Sequence, residues 1–100
     1  MKVSIKKEGT ETVVTVGGRL DTVNAAEFQQ KMDDMPDADA AHVTVDCAEM
    51  EYISSSGLRA FISLLKRAGR LGGKVSVKNL NSSVREVFDM TGFSALFGIE

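Results

Sequence analysis

Val3 and Ile5 alternate with polar neighbours, the period-two pattern of a half-buried strand. Glu8-Gly9-Thr10 reads as a turn. Residues 12–16 (TVVTV), rich in β-branched side chains, predict a second strand, and together the two make a β-hairpin closed off by Gly17-Gly18. From near Asn24 to about Met35 the spacing becomes helical: Ala25, Phe28 and Met32 share one face, while Glu27, Lys31 and Asp34 point elsewhere. Pro36 disfavours helix at the residue before it, and residues 37–40 read as a short connector. Residues 42–47 (HVTVDC) predict a third strand and residues 49–54 a loop. A second helix then carries Leu58, Phe61, Ile62, Leu65 and Ala68 as one apolar stripe and ends at Gly72-Gly73. Leu64 falls off that stripe and is expected as an exposed anchor. Residues 74–78 (KVSVK) alternate as a fourth strand, residues 79–82 form a turn with capping side chains, and Val84, Val87, Phe88 and Met90 mark a third helix up to Gly92. Phe93, Leu96, Phe97 and Ile99 supply a short apolar C-terminal element.

The predicted order is β-β-α-β-α-β-α with a short tail. It implies an α/β fold with a mixed sheet of four to five strands, whose later strands are parallel and joined by right-handed crossovers. No internal repeat, low-complexity segment or linker interrupts it, so residues 1–100 are read as one domain.

Composition narrows the function classes. A net charge of −2 argues against direct nucleic-acid binding, which favours a basic excess. One cysteine, Cys47, rules out an intramolecular disulfide, and with His42 the only histidine no four-ligand zinc set exists. Cys47 is expected as a buried structural residue. No run approaches the roughly 18 apolar residues of a membrane span, and none resembles a signal peptide. A cytoplasmic protein without a cofactor is expected.

The richest segment chemically is Tyr52-Ile53-Ser54-Ser55-Ser56-Gly57-Leu58-Arg59, which joins the third strand to the second helix. Ligand sites of open α/β sheets favour the carboxyl ends of strands. One reading is helix capping, in which a serine oxygen accepts hydrogen bonds from the free N–H groups of the first turn. The other is a functional surface, with Gly57 letting another backbone or a phosphate donor approach closely.

This segment resembles the signature loop of the STAS family, the domain shared by sulfate transporters and anti-sigma-factor antagonists. Gly18-Arg19-Leu20-Asp21 followed by Asn24-Ala25 is similar to the family's turn before its first helix. Val43-Thr44-Val45-Asp46 is similar to its central strand, and Val84, Val87-Phe88, Thr91-Gly92-Phe93 and Leu96-Phe97 to its C-terminal helix and turn. The resemblance implies a partner that is both anti-sigma factor and serine kinase. It binds the unphosphorylated antagonist and thereby releases a sigma factor. The kinase phosphorylates the first serine after the loop aspartate, and a metal-dependent serine phosphatase resets the switch. Carried onto this chain, the aspartate falls on Ser54, the phosphoacceptor on Ser55, and the next positions on Ser56 and Gly57. Ser54 is a departure, because serine offers no negative charge; Ser54 and Ser56 are themselves possible secondary acceptors.

A phosphoserine carries about −1.5 to −2 charge, which the N-terminal end of a helix tolerates. Arg59 lies four residues on, within reach of such a phosphate. Arg59 and Ser63 are therefore candidate partner contacts, whereas Lys66, Arg67 and Arg70 read as a solvated face. Asp21, Thr22 and Asn24 either cap the first helix or join the interface, since parallel topology would set them beside the serine loop. Catalysis is not expected. No base stands near a serine nucleophile, and both the Gly-x-Ser-x-Gly elbow and the phosphate-binding glycine loop are absent. Asp46, Glu49 and Glu51 read as a solvated loop. The alternative is a non-phosphorylated STAS subunit of a larger assembly, such as a lipid-transport complex or a stress-sensing particle.

Overall fold

In the computed structural model, which describes residues 1–100, the β-branched runs form a six-stranded mixed sheet. Strand β1 (Lys2–Glu8) pairs antiparallel with β2 (Glu11–Leu20) along its whole length. Strand β2 is long enough to hold two parallel partners. Its first half pairs with β3 (His42–Asp46), from Thr12↔Val43 to Thr15↔Asp46. Its last residues pair with β4 (Met50–Ile53), ending at Leu20↔Ile53. Strand β5 (Lys74–Lys78) adds parallel to β3, and the two-residue β6 (Gly98–Ile99) adds parallel to β5.

Helices α1 (Thr22–Asp33), the single turn α2 (Asp37–Ala40), α3 (Ser55–Arg70) and α4 (Ser82–Met90) connect the strands, and a 3-10 turn at Phe93–Ala95 precedes β6. None is long and apolar enough to cross a membrane. The in-register valines Val14, Val45 and Val77 pack in one core with Phe28, Met32, Leu64 and Phe88. Phe61 of α3 lies at its centre, with ring centroids 5.4 Å from Phe28, 5.8 Å from Phe88 and 6.2 Å from Phe97. Contacts of this kind add about 0.5–1.5 kcal/mol each beyond area burial.

The α/β class and the element order agree with the sequence reading, with differences at particular positions. Gly17-Gly18 does not end the hairpin. Gly18 takes φ +86°, a backbone glycine tolerates, and donates its N–H to Glu49 O at 2.8 Å, so β2 continues past an irregularity to Leu20. Residues 50–53, expected as loop, pair against that extension. With the two residues of β6 they raise the sheet from the expected four or five strands to six; β4 has a buried-exposed-exposed-buried pattern that no period-two test finds. Residues 37–40 form a helical turn rather than a connector.

The buried face of α3 is also rotated from the expected stripe. Leu64 is 2% exposed and part of the core, whereas Ile62 and Leu65 are only half-buried. Leu64 sits three residues after Phe61 and four before Ala68, so it continues their ridge, and it is no exposed anchor. Arg67 leaves the expected solvated face as well. Its guanidinium donates to Met32 O at 2.9 Å and Met35 O at 2.6 Å, and pairs with Asp37 at 2.8 Å. It thereby closes the carbonyl end of α1 from the neighbouring helix.

Thr12 shares the helix-covered sheet face with Val14 and Val16, and its buried Oγ1 has no hydrogen-bond partner. An unpaired buried hydroxyl costs about 1–3 kcal/mol. Thr12→Val keeps the shape and removes the hydroxyl. It is expected to raise stability by about 1 kcal/mol, read as a higher urea midpoint with an unchanged slope.

Candidate functional site

The first turn of α3 is built from three serines with three different environments. Ser54 is extended (φ −91°, ψ 172°) and is the N-cap: its Oγ accepts from the Gly57 N–H at 3.1 Å. Its own N–H donates to Leu20 O at 2.9 Å, which ties the start of α3 to the end of β2, and it is 8% exposed. Ser55 is exposed to solvent. Ser56 is half-buried and accepts from Arg59 Nη2 at 3.0 Å. The capping and surface readings thus fall on different residues.

Gly57 is buried and turned inward. A Cβ there would lie 2.9 Å from both Ile53 Cγ1 and Leu20 Cγ. The missing side chain makes room for the core under the helix, rather than for an approaching ligand. Ser54 likewise faces inward and is buried, whereas Ser55 beside it is exposed.

The same tie brings two helix N-termini together. Asp21 caps α1, its Oδ1 accepting from Asn24 N–H at 2.9 Å, and the helix therefore begins at Thr22 rather than Asn24. The Asn24 side chain donates to Arg19 O at 2.8 Å. Since Leu20 O accepts from Ser54 N–H, Asp21 and Ser55 leave the sheet as neighbours. A cleft of about 310 Å³ between α1 and α3 is bordered by Thr22, Gln29, Ser56 and Arg59. Gln29 spans it further along, donating to Ser63 Oγ at 3.3 Å. The structure therefore gathers Thr22, Ser56 and Arg59 around one cleft at the end where Asp21 and Ser55 emerge, while Asn24 secures the backbone beneath it and Ser63 lies further along α3, bonded to Gln29.

Three exposed residues near these helix starts, Val23, Arg19 and Tyr52, were not singled out as contacts from the sequence. Val23 is 82% exposed on the first turn of α1. Tyr52 lies under the Arg19 guanidinium, 4.4 Å from its ring centre, because the two are register partners between β2 and β4. The run of β-branched residues before Gly17 gave no sign that β2 continues to Arg19, and with residues 49–54 read as loop the pairing was out of sight.

Cys47 is buried, and burial first and the Asp46 charge second push its thiol up to about 12, so it stays protonated and unreactive. His42 is exposed at the opposite end of β3 and makes no pair with it. Asp46 accepts from Asn79 Nδ2 and from Ala48 N–H, each at 3.0 Å. The Asn79 bond chiefly, against the opposing effect of partial burial, holds its carboxyl below the ordinary value. It staples two loops rather than forming an acid pair with Glu49 or Glu51. No cluster of three or more His, Cys, Asp or Glu side chains gathers to hold a metal.

The sequence model described as STAS domain matches residues 2–100. The anti-sigma-B factor antagonist of Bacillus subtilis is 23% identical over 99 residues, covering 99% of this chain and 90% of that protein. The anti-sigma factor antagonist SpoIIAA in its unphosphorylated form superposes with a TM-score of 0.81 at 15% identity, over 99% of this chain and 88% of that one. The Bacillus cell fate determinant SpoIIAA in the phosphorylated form superposes with a TM-score of 0.77 at 16% identity, over 99% and 91%.

Removing the cap in Ser54→Ala is expected to lower stability by about 1 kcal/mol. Ser54→Asp, which keeps an acceptor at the same place, should hold it near the original value. Chemical denaturation of the two variants checks both.

Proposed function

We propose that the chain, which belongs to the STAS domain family, is an anti-sigma factor antagonist switched by phosphorylation of Ser55. Unphosphorylated, it binds a partner that is both anti-sigma factor and serine kinase, and so frees a sigma factor. Phosphorylated, it lets that partner go, and a metal-dependent serine phosphatase restores it. The names carried by its relatives support the general role. The observation that carries the switch is the exposure of Ser55 between a buried Ser54 and a half-buried Ser56, at the joint N-terminal ends of α1 and α3.

The physics of the modification follows from that placement. The first turn of α3 holds no acidic residue, so a phosphate on Ser55 meets the positive end of the helix dipole and free N–H groups. A neutral Ser54 places no like charge beside it, so the departure from the family aspartate keeps the cap and removes a repulsion. Arg59, one helical turn on, is a ready cation. The fold therefore holds. The contact surface does not: burying a phosphate against a partner without a matching cation costs several kcal/mol, and about 1.4 kcal/mol is already tenfold in affinity. Thr22, Ser56 and Arg59 at the cleft, with Asp21 and Asn24 at the start of α1 and Ser63 further along α3, are the proposed docking contacts. Ser54 and Gly57 serve that surface from below.

Incubation with kinase-type anti-sigma factors and ATP, followed by mass spectrometry, is expected to place phosphate on Ser55. Ser55→Ala should keep partner binding and lose phosphorylation, and Ser55→Glu should bind at least about tenfold more weakly with an unchanged melting temperature. Equal binding by the two variants would instead support a subunit of a larger assembly.

A further inference from the structure

Beyond its first turn, α3 borders a second groove that adjoins the α1–α3 cleft. We infer that the groove between α3 and the C-terminal 3-10 turn anchors an acidic, amphipathic segment of a protein partner. The groove has a volume of about 450 Å³ and is lined by Arg59, Ile62, Ser63, Lys66, Phe93 and Leu96. Ile62 and Phe93 are half-buried and Leu96 is 54% exposed, so its floor is apolar and incompletely covered. Arg59 and Lys66 stand exposed at its rim.

Charge identifies the occupant. The chain carries −2 overall, yet α3 has four cations, Arg59, Lys66, Arg67 and Arg70, and no acidic residue in its 16 positions. The ion pairs of the molecule are Lys7–Asp39, Arg67–Asp37 and Arg85–Asp89. Arg67 is thus matched within the chain, and Arg59, Lys66 and Arg70 form a row at helical spacing without an acidic partner. A row of cations beside an apolar floor is complementary to a segment that presents acidic residues along one edge and apolar residues along the other.

A second copy of the chain fits poorly. Its densest acidic stretch, Asp33 to Asp39, is already committed: Asp33 to Gln29, Asp34 to Gln30, Asp37 to Arg67 and Asp39 to Lys7. The groove shares Arg59 with the α1–α3 cleft, so it extends the surface around Ser55. The inference rests on the reading that this surface docks a protein, and it adds the chemistry of what docks.

The test is an NMR titration of the full ¹⁵N-labelled chain with an amphipathic helical peptide of Glu, Leu and Ala, and with a control in which Lys replaces Glu. Amide shifts should gather at residues 59–66 and 93–96. The acidic peptide should bind at least about tenfold more tightly than the lysine control, with affinity falling as salt is added. Lys66→Glu and Leu96→Ser, each with an unchanged melting temperature, should each weaken binding about tenfold. Ser55→Ala should bind the peptide like the unaltered chain. If the peptide binds in the groove but incubation with kinase-type anti-sigma factors and ATP places no phosphate on Ser55, the switch fails and the groove stands. Shifts elsewhere, or equal affinity for both peptides, overturn the groove. So does a concentration-dependent dimer abolished by Leu96→Ser, which assigns it to a second copy. So too does binding to phosphatidylglycerol vesicles through these residues without binding to the acidic peptide, which assigns it to a membrane surface.

Discussion

The close approach of the first turn of α3 to the ends of β2 and β4 organises this molecule. It exists because residue 57 has no side chain: Leu20 and Ile53 occupy the space a Cβ would need. One turn further along, Phe61 enters the aromatic cluster with Phe28, Phe88 and Phe97, and Leu64 and Ala68 continue the same ridge into the core. Helix α3 is therefore held in rotation as well as in position. With Ser54 and Gly57 turned in, the helical screw leaves Ser55 facing solvent. The outward hydroxyl is a consequence of inward packing on either side of it.

The second constraint is the split partnership of β2. Ten residues long, it pairs with β3 in its first half and with β4 at its end, and the irregularity at Gly18 lets it do both. That extension delivers Leu20 to Ser54 and Arg19 to Tyr52, and places the capped starts of α1 and α3 side by side. Arg67 completes the arrangement at the other end of α1, where it donates to the carbonyls of Met32 and Met35. One helix thus supports its neighbour at one end and shares a surface with it at the other.

Electrostatics divides the labour between the two helix starts. Asp21 brings a carboxylate to α1, while Ser54 caps α3 with a neutral oxygen. The first turn of α3 consequently carries no negative charge of its own, and the cations further along the helix extend that bias over a groove with an apolar floor. In a chain with a net negative charge this asymmetry is local, and it favours anionic groups along α3.

Much of this was legible in the linear chain. Periodicities of two and of about 3.6 located four strands and three helices, because half-buried elements must show one apolar face to the core. The run of serines followed by glycine marked the strand-to-helix junction, because capping chemistry is local. What lay beyond the chain's own pattern depended on partners distant in sequence. Strand β4 exists through pairing with β2, the burial of Leu64 through the direction in which α3 meets the sheet, and the role of Arg67 through the carbonyls of another helix. Gly57 could be recognised as a place of close approach, but only the packing decided that the approach comes from Leu20 and Ile53 within. A sequence states which residues can be buried; which of them are is decided by the surfaces they meet.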